Sequence, residues 1–207
     1  MSRQSLFEDA PMTIEQLKIK SRIIPLKYKD IVFSPLSQLL CQNCGQFGRS
    51  YVCPPFVRKY DKTKEYLKQF NKFLLIISES ELSEYEKRYS EMKIKCGTLG
   101  EYRLQNLVGT QINAINCGIV RHDLKTVVRF IKSRYEKFNF FDIGGGCNRC
   151  KHCQKWLHKP CAHPNEARAS PEGSGIDNYF TLKNIGYNVE SPPIKKYVSV
   201  AMIFWKE

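Results

Sequence analysis

Seven of the nine cysteines in this chain fall into two spaced groups. Cys147, Cys150 and Cys153 stand at C-x2-C-x2-C spacing, and Cys161 follows seven residues later, just behind Pro160. Far upstream, Cys41-Gln-Asn-Cys44 is followed after eight residues by Cys53-Pro54-Pro55. Cys96 and Cys117 are isolated. Sulfurs at such spacings surround one small volume, and soft thiolates there select zinc or iron–sulfur clusters. Disulfides are the competing use. The chain opens Met-Ser-Arg-Gln-Ser-Leu-Phe-Glu-Asp, with no apolar run that could serve as a signal peptide. Cysteine pairs two residues apart in an intracellular protein read as metal or redox sites rather than staples.

The tight triple Cys147/Cys150/Cys153 argues for [4Fe-4S] clusters over zinc. Bacterial ferredoxins hold cubanes with a C-x2-C-x2-C-x3-C-P run; here the last gap is longer and Ala162 follows the fourth cysteine. Zinc is the alternative, with Cys41 and Cys44 joining Cys150 and Cys153 as paired knuckles. His152, His158 and His163 stand in no zinc-finger frame and read as surface groups or as neighbours of the ligands rather than ligands. Two clusters are expected, with ligand sharing open. Either Cys147, Cys150, Cys153 and Cys161 form one set, or Cys53 and Cys161 cross over as in two-cluster ferredoxins. The fourth ligand beside Cys41, Cys44 and Cys53 is Cys96, Cys117, Cys161 or none. A three-cysteine cluster would leave an iron open as a Lewis acid.

The 207 residues suffice for a single domain over 1–207, with segments 41–55 and 144–164 brought together in space. No apolar stretch approaches the roughly 20 residues that span a bilayer, so a soluble, cytoplasmic protein and no membrane partner are expected. A formal charge of +13 is softened by about −2 for each cubane. The remaining excess suits an acidic electron carrier, a larger redox enzyme or nucleic acid. Nucleic acid is disfavoured, because no RNA-recognition motif, paired finger or repeat occurs.

The elements that must position these cysteines read as an α+β fold, a small sheet packed with several amphipathic helices, plus a ferredoxin-like cysteine-rich region. Apolar periodicity predicts helices over 13–20, 62–71 (capped by Asp61), 81–95, 99–116, 121–138 and 177–184. Strands are predicted over 73–78, 140–143 and 195–205. Cys117-Gly118 and Cys96-Gly97 read as C-capping glycines beside core cysteines, with cluster ligation as the minor reading. Gly144, Gly145 and Gly146 lack the Gly-Lys-Ser/Thr of a phosphate loop. They are expected instead to let backbone N–H groups approach a cluster. In the polar loop after Cys161, Arg168, Ser170, Glu172 and Asp177 either position a ligand or cap helices and pair with each other.

With these motifs assembled, the chain resembles a family of predicted metal-binding proteins of anaerobic bacteria and archaea, a domain of unknown function. The matching segments are Cys41 to Gly48 with Cys53-Pro-Pro-Phe, Gly146 to Cys153, Pro160 to Pro164, Arg168-x-Ser170-x-Glu172 and Gly175-Ile-Asp177. Phe47, Tyr51 and Ala169 depart from the usual residues, which bears on packing rather than ligation. The resemblance implies iron–sulfur binding and brings no established reaction. Two functions follow as expectations: an electron-transfer or accessory protein of a redox metalloenzyme, or an enzyme whose open-iron cluster acts on a small anionic substrate near Arg168, Ser170 and Asp177. A zinc-binding structural or nucleic-acid module is third. No catalytic residue is assigned.

Overall fold

The structure, a computed structural model, describes residues 19–44, 46–81, 83, 101–144, 147, 149–190 and 196–207; residues 101–115 are described by backbone alone. Its centre is a four-stranded antiparallel sheet in the order β1-β2-β4-β3. The strands are β1 (Lys20–Leu26), β2 (Lys72–Glu81), β3 (Phe138–Phe141) and β4 (Lys196–Trp205). The described helices are α1 (Pro35–Leu40), α2 (Tyr60–Leu67), α3 (Glu101–Lys132) and α4 (Asn178–Asn184).

Both faces of the sheet are covered, which explains why β2 and β4 are apolar nearly throughout. Side chains alternate across a strand. Phe73, Leu75 and Ile77 of β2 join Met202 and Phe204 of β4 on one face, packed on Leu67 of α2 and Leu182 of α4. Ile76, Ala201, Ile203 and Trp205 face the other way, onto Val120, Leu124 and Ile131 of α3. A buried polar bridge ties α3 to the same face. The Ser78 hydroxyl donates to the Asn116 side-chain oxygen at 2.8 Å, and the Asn116 amide donates to the Ser80 hydroxyl at 2.8 Å. Buried amides survive only when so satisfied.

The sequence expectations for β4, α4 and the α+β class match these elements. Others need correction. Helices expected over 99–116 and 121–138 are one continuous α3, so Gly118 caps nothing. Gly118 is exposed, and a glycine within a helix costs only about 1 kcal/mol. The packing of Val120, Leu124 and Ile131 outweighs that. β1 had no counterpart in the sequence reading: it carries Pro25, which a central strand excludes and an edge strand tolerates. Asp61 lies in the first turn of α2, whose N-cap is Lys59, and α2 ends at Leu67. Strand 140–143 is displaced to Phe138–Phe141. The expectations for residues 13–18 and 84–95, for Cys96-Gly97 and for Gly145 and Gly146 lie outside the described residues.

Candidate metal centre

The first three cysteines are positioned by a short helix and two turns. Ser34 caps α1 by accepting the Leu36 N–H at 3.2 Å, and Pro35 stands at its first position, where no N–H is needed. The helix passes directly into a 3-10 turn, Cys41–Asn43, closed by the Cys44 N–H on the Cys41 carbonyl at 3.0 Å. Cys53 sits in a second turn, with its N–H on the Ser50 carbonyl at 3.1 Å. The Gly48 N–H reaches the Pro54 carbonyl at 3.0 Å and locks the two turns together. Gly48 adopts a φ of +66°, a region that favours glycine.

A third segment closes over this pair. Gln38 of α1 donates to the Arg58 carbonyl at 2.6 Å and the Gly173 carbonyl at 2.9 Å, and accepts the Tyr60 N–H at 3.0 Å. Ser34 N–H on the Gly175 carbonyl (2.9 Å) and Asp177 N–H on the Val32 carbonyl (2.8 Å) fasten the same loop. Gly175, at a φ of +82°, lies so close to Tyr60 that a Cβ would come within 2.3 Å of the Tyr60 Cβ. The 170–173 turn is thereby laid against Pro54: a Cβ on Gly173 would meet the Pro54 ring at 3.7 Å.

These segments enclose a cavity of about 260 Å³ lined by Cys41, Cys44, Cys53, Cys117, Arg168 and Glu172, with Tyr197 to Val200 of β4 as one wall. Burial and the neighbouring Glu172, Cys44 and Cys53 push the Cys41 thiol up to about 11. Glu172 keeps part of its surface toward the cavity and is otherwise packed in protein; burial raises its carboxyl against the opposing hydrogen bonds of Ser170 and Asn178. Cys117 projects from α3, its sulfur 4.0 Å from the Ser199 hydroxyl, and burial raises its thiol. Ser170 closes its own turn by accepting the Gly173 N–H at 3.0 Å. Gly144 also lines the cavity, with open space where a Cβ would stand.

The second cysteine group is built differently. Cys147, Cys150 and Cys153 lie on irregular chain, followed by a 3-10 turn, Gln154–Leu157. Cys150 is raised by partial burial and by Cys147, Cys153 and Cys161, which places all four thiols of this motif in one neighbourhood. The Arg149 guanidinium pairs with Glu166 at 2.9 Å. Tyr51, between Cys44 and Cys53, donates to the Lys159 carbonyl at 2.8 Å, and the Lys155 ammonium lies 4.6 Å over the Phe56 ring. The two cysteine segments therefore touch through their flanks.

Each group carries a donor aimed at sulfur. The Ser50 hydroxyl lies 3.4 Å from the Cys53 sulfur, and the His163 N–H lies 3.4 Å from the Cys161 sulfur. Hydrogen bonds to sulfur are among the contacts by which a protein tunes an iron–sulfur cluster. Among the described residues, no three His, Cys, Asp or Glu side chains converge tightly enough to hold a single metal ion. Ligands of a multi-iron cluster bind different irons and stand farther apart than ligands of one ion. The thiol-only donor sets and the sulfur-directed donors fit that kind of group.

Of the polar residues expected near the cysteines, Arg168, Ser170 and Glu172 line the cavity and Asp177 does not. Asp177 caps α4 by accepting the Phe180 N–H at 3.0 Å. Arg168 is half-buried and held by the Asn139 side chain at 2.7 Å and the Pro164 carbonyl at 2.9 Å, with its guanidinium over Phe140. Tyr197 and Ser199 were missed by sequence reasoning. Their only signal is their place at the start of a strand that runs beside α3.

Fold and donors together define a class, an α+β protein that presents soft sulfur donors on two cysteine-rich segments. The chain belongs to the predicted metal-binding protein family DUF2284, whose model matches residues 24–204. Searches of curated proteins and of solved structures found no match. No helix among the described residues is long and apolar enough to cross a membrane.

Proposed function

We propose that this chain is an iron–sulfur protein with two cluster sites, one on Cys147, Cys150, Cys153 and Cys161 and the other on Cys41, Cys44 and Cys53, acting in electron transfer or as an accessory partner of a redox metalloenzyme. The observation that carries this reading is the sorting of the thiols: Cys41, Cys44 and Cys53 line one cavity together, and none of Cys147, Cys150, Cys153 and Cys161 is among its lining residues. That favours the simple ligand assignment over a crossed one. A cluster bound at either site supplies one-electron chemistry. The chain's own residues hold the thiols in two turns, direct Ser50 and His163 at sulfur, and shield one side of each site with protein.

A second reading is favoured by the cavity beside Cys41, Cys44 and Cys53. Three thiolates leave one position for a small ligand, and Lewis-acid chemistry on a small anion would use Arg168 and Ser170 as orienting groups. Cys117 lines the same space and is the candidate fourth ligand if the site closes. Iron, acid-labile sulfide and zinc per chain, with EPR of reduced, anaerobically purified protein, test both. About eight irons and eight sulfides support two cubanes. An EPR line shape that responds to small anions supports the second reading. Stoichiometric zinc without sulfide contradicts both and leaves a zinc-binding module.

A further inference from the structure

Between α3 and the edge strand β3 runs a groove of about 520 Å³ whose charge is unbalanced. Arg121, Lys125, Arg129 and Lys132 line it from the helix, and Arg149 and Arg168 from the opposite wall. Only Asp142 and Glu166 answer those six cations among the lining residues. Asp142 lies 3.4 Å from Arg121, and Glu166 lies 2.9 Å from Arg149. Lys125, Arg129 and Lys132 are exposed and make no ion pair among the described residues. The floor is apolar, formed by Leu124, Val128, Phe138 and Phe140.

The groove ends at the second cysteine group. Arg121, Lys125 and Arg149 also line a smaller adjoining recess of about 180 Å³ together with Cys147. Like charges crowded beside an apolar floor repel one another in the free protein, and an opposing acidic surface relieves that repulsion. Charge complementarity of this kind steers encounter and sets orientation more than it adds affinity. Short-lived redox encounters use small interfaces of this type.

We propose that this groove is the docking surface for an acidic one-electron carrier protein, which places the carrier against Cys147. The proposal rests on the iron–sulfur reading above for its redox consequence, and on the charge distribution alone for docking. The probe is a flavodoxin, an acidic one-electron donor, reduced and mixed with the anaerobically purified protein in a stopped-flow instrument. The wild-type second-order rate constant is expected to fall steeply as salt is raised. The variant K125E/R129E/K132E is expected to lose about 100-fold in rate at low salt and most of its salt dependence. The variant K29E/K62E/K64E carries the same change in net charge on exposed positions elsewhere, and is expected to lose far less. The substitutions K125Q/R129Q/K132Q should give an intermediate loss, and thermal melts confirm that each variant is folded.

Equal rates for the two charge-reversal variants would overturn the proposal, as would a wild-type rate indifferent to salt. Docking is read separately by titrating oxidised flavodoxin at low salt with NMR detection. If the purified protein holds no iron or sulfide, the redox reading fails while a groove-specific loss of binding still supports docking. Loss of binding to a single-stranded oligonucleotide in K125E/R129E/K132E, with unchanged flavodoxin binding, would overturn the proposal in favour of a nucleic-acid surface.

Discussion

The two cysteine groups carry the same donor chemistry on differently built segments. Cys41, Cys44 and Cys53 sit at the end of a capped helix, beside a loop fastened by Gln38 and Gly175, and line a half-open cavity from which Cys44 remains exposed. Cys147, Cys150, Cys153 and Cys161 lie on irregular chain with Trp156 61% exposed beside them and a basic groove ending at Cys147. On the second reading proposed above, the first arrangement would admit a small ligand. On the docking proposal, the second would meet an acidic protein partner. Placement in the fold, rather than ligand type, thus separates the two sites, as expected when thiolate donors are common to both and their surroundings set access and tuning.

The largest effect on this contrast is expected from Gly175→Ala. The added Cβ meets the Tyr60 Cβ at 2.3 Å and the φ of +82° strains any L residue, so stability should drop by about 3 kcal/mol. Differential scanning fluorimetry should show a melting point lower by about 10 °C. Metal loss should be confined to the Cys41 group, as followed by the iron content of C150S against C150S/G175A for that group and of C44S against C44S/G175A for the other. An equal loss from both groups would mean that they are not separate sites.

Gln38→Ala removes two donated hydrogen bonds and one accepted bond that hold three segments together. A loss of about 2 kcal/mol is expected by urea unfolding, again with weaker metal retention at the Cys41 group only. An unaffected Cys41 group would sever the fastening loop from the site.

Acid stability tests the sheet that walls the Cys41 cavity. Burial opposes ionisation of Glu79, but the hydrogen bond from Tyr187 and the charges of Lys196 and Arg22 hold its carboxyl below the usual range. A lowered folded value means stabilisation present above pH 4.5 and lost as pH falls through the folded value. Melting points measured between pH 6 and pH 3 should therefore fall more steeply for the wild type than for E79Q. Parallel curves would contradict this coupling.

The smallest effect is expected from Cys117→Ser. Iron and sulfide content should be unchanged, with any difference limited to the EPR line shape of the Cys41 group. Loss of about four irons would instead make Cys117 a ligand and close the site to small molecules.

What could be read from sequence follows from how local each signal is. The cysteine motifs are contiguous, so both donor groups were legible without a structure. β4 declared itself by alternation around Val198, Val200, Met202 and Phe204, and Asp177 by its place at a helix start. The continuity of α3 was hidden because Cys117-Gly118 imitates a stop, and only tertiary packing carries the helix past it. β1 was hidden because a seven-residue edge strand with Pro25 and exposed Lys20 and Arg22 shows no apolar pattern. The cavity could not be foreseen, since Cys53, Cys117, Ser170 and Ser199 come from four distant stretches. The groove was half legible: the helix expected over 121–138 carries Arg121, Lys125, Arg129 and Lys132, while the placing of Arg149 and Arg168 opposite it had no local signal.

The most direct test of two independent sites is the iron and acid-labile sulfide content of C44S and C150S, each purified anaerobically beside the wild type. Each variant is predicted to keep about half of the wild-type iron and sulfide, and the two halves should differ in EPR spectrum. A complete loss in both variants, or no loss in either, would contradict the assignment of the seven cysteines to two sites.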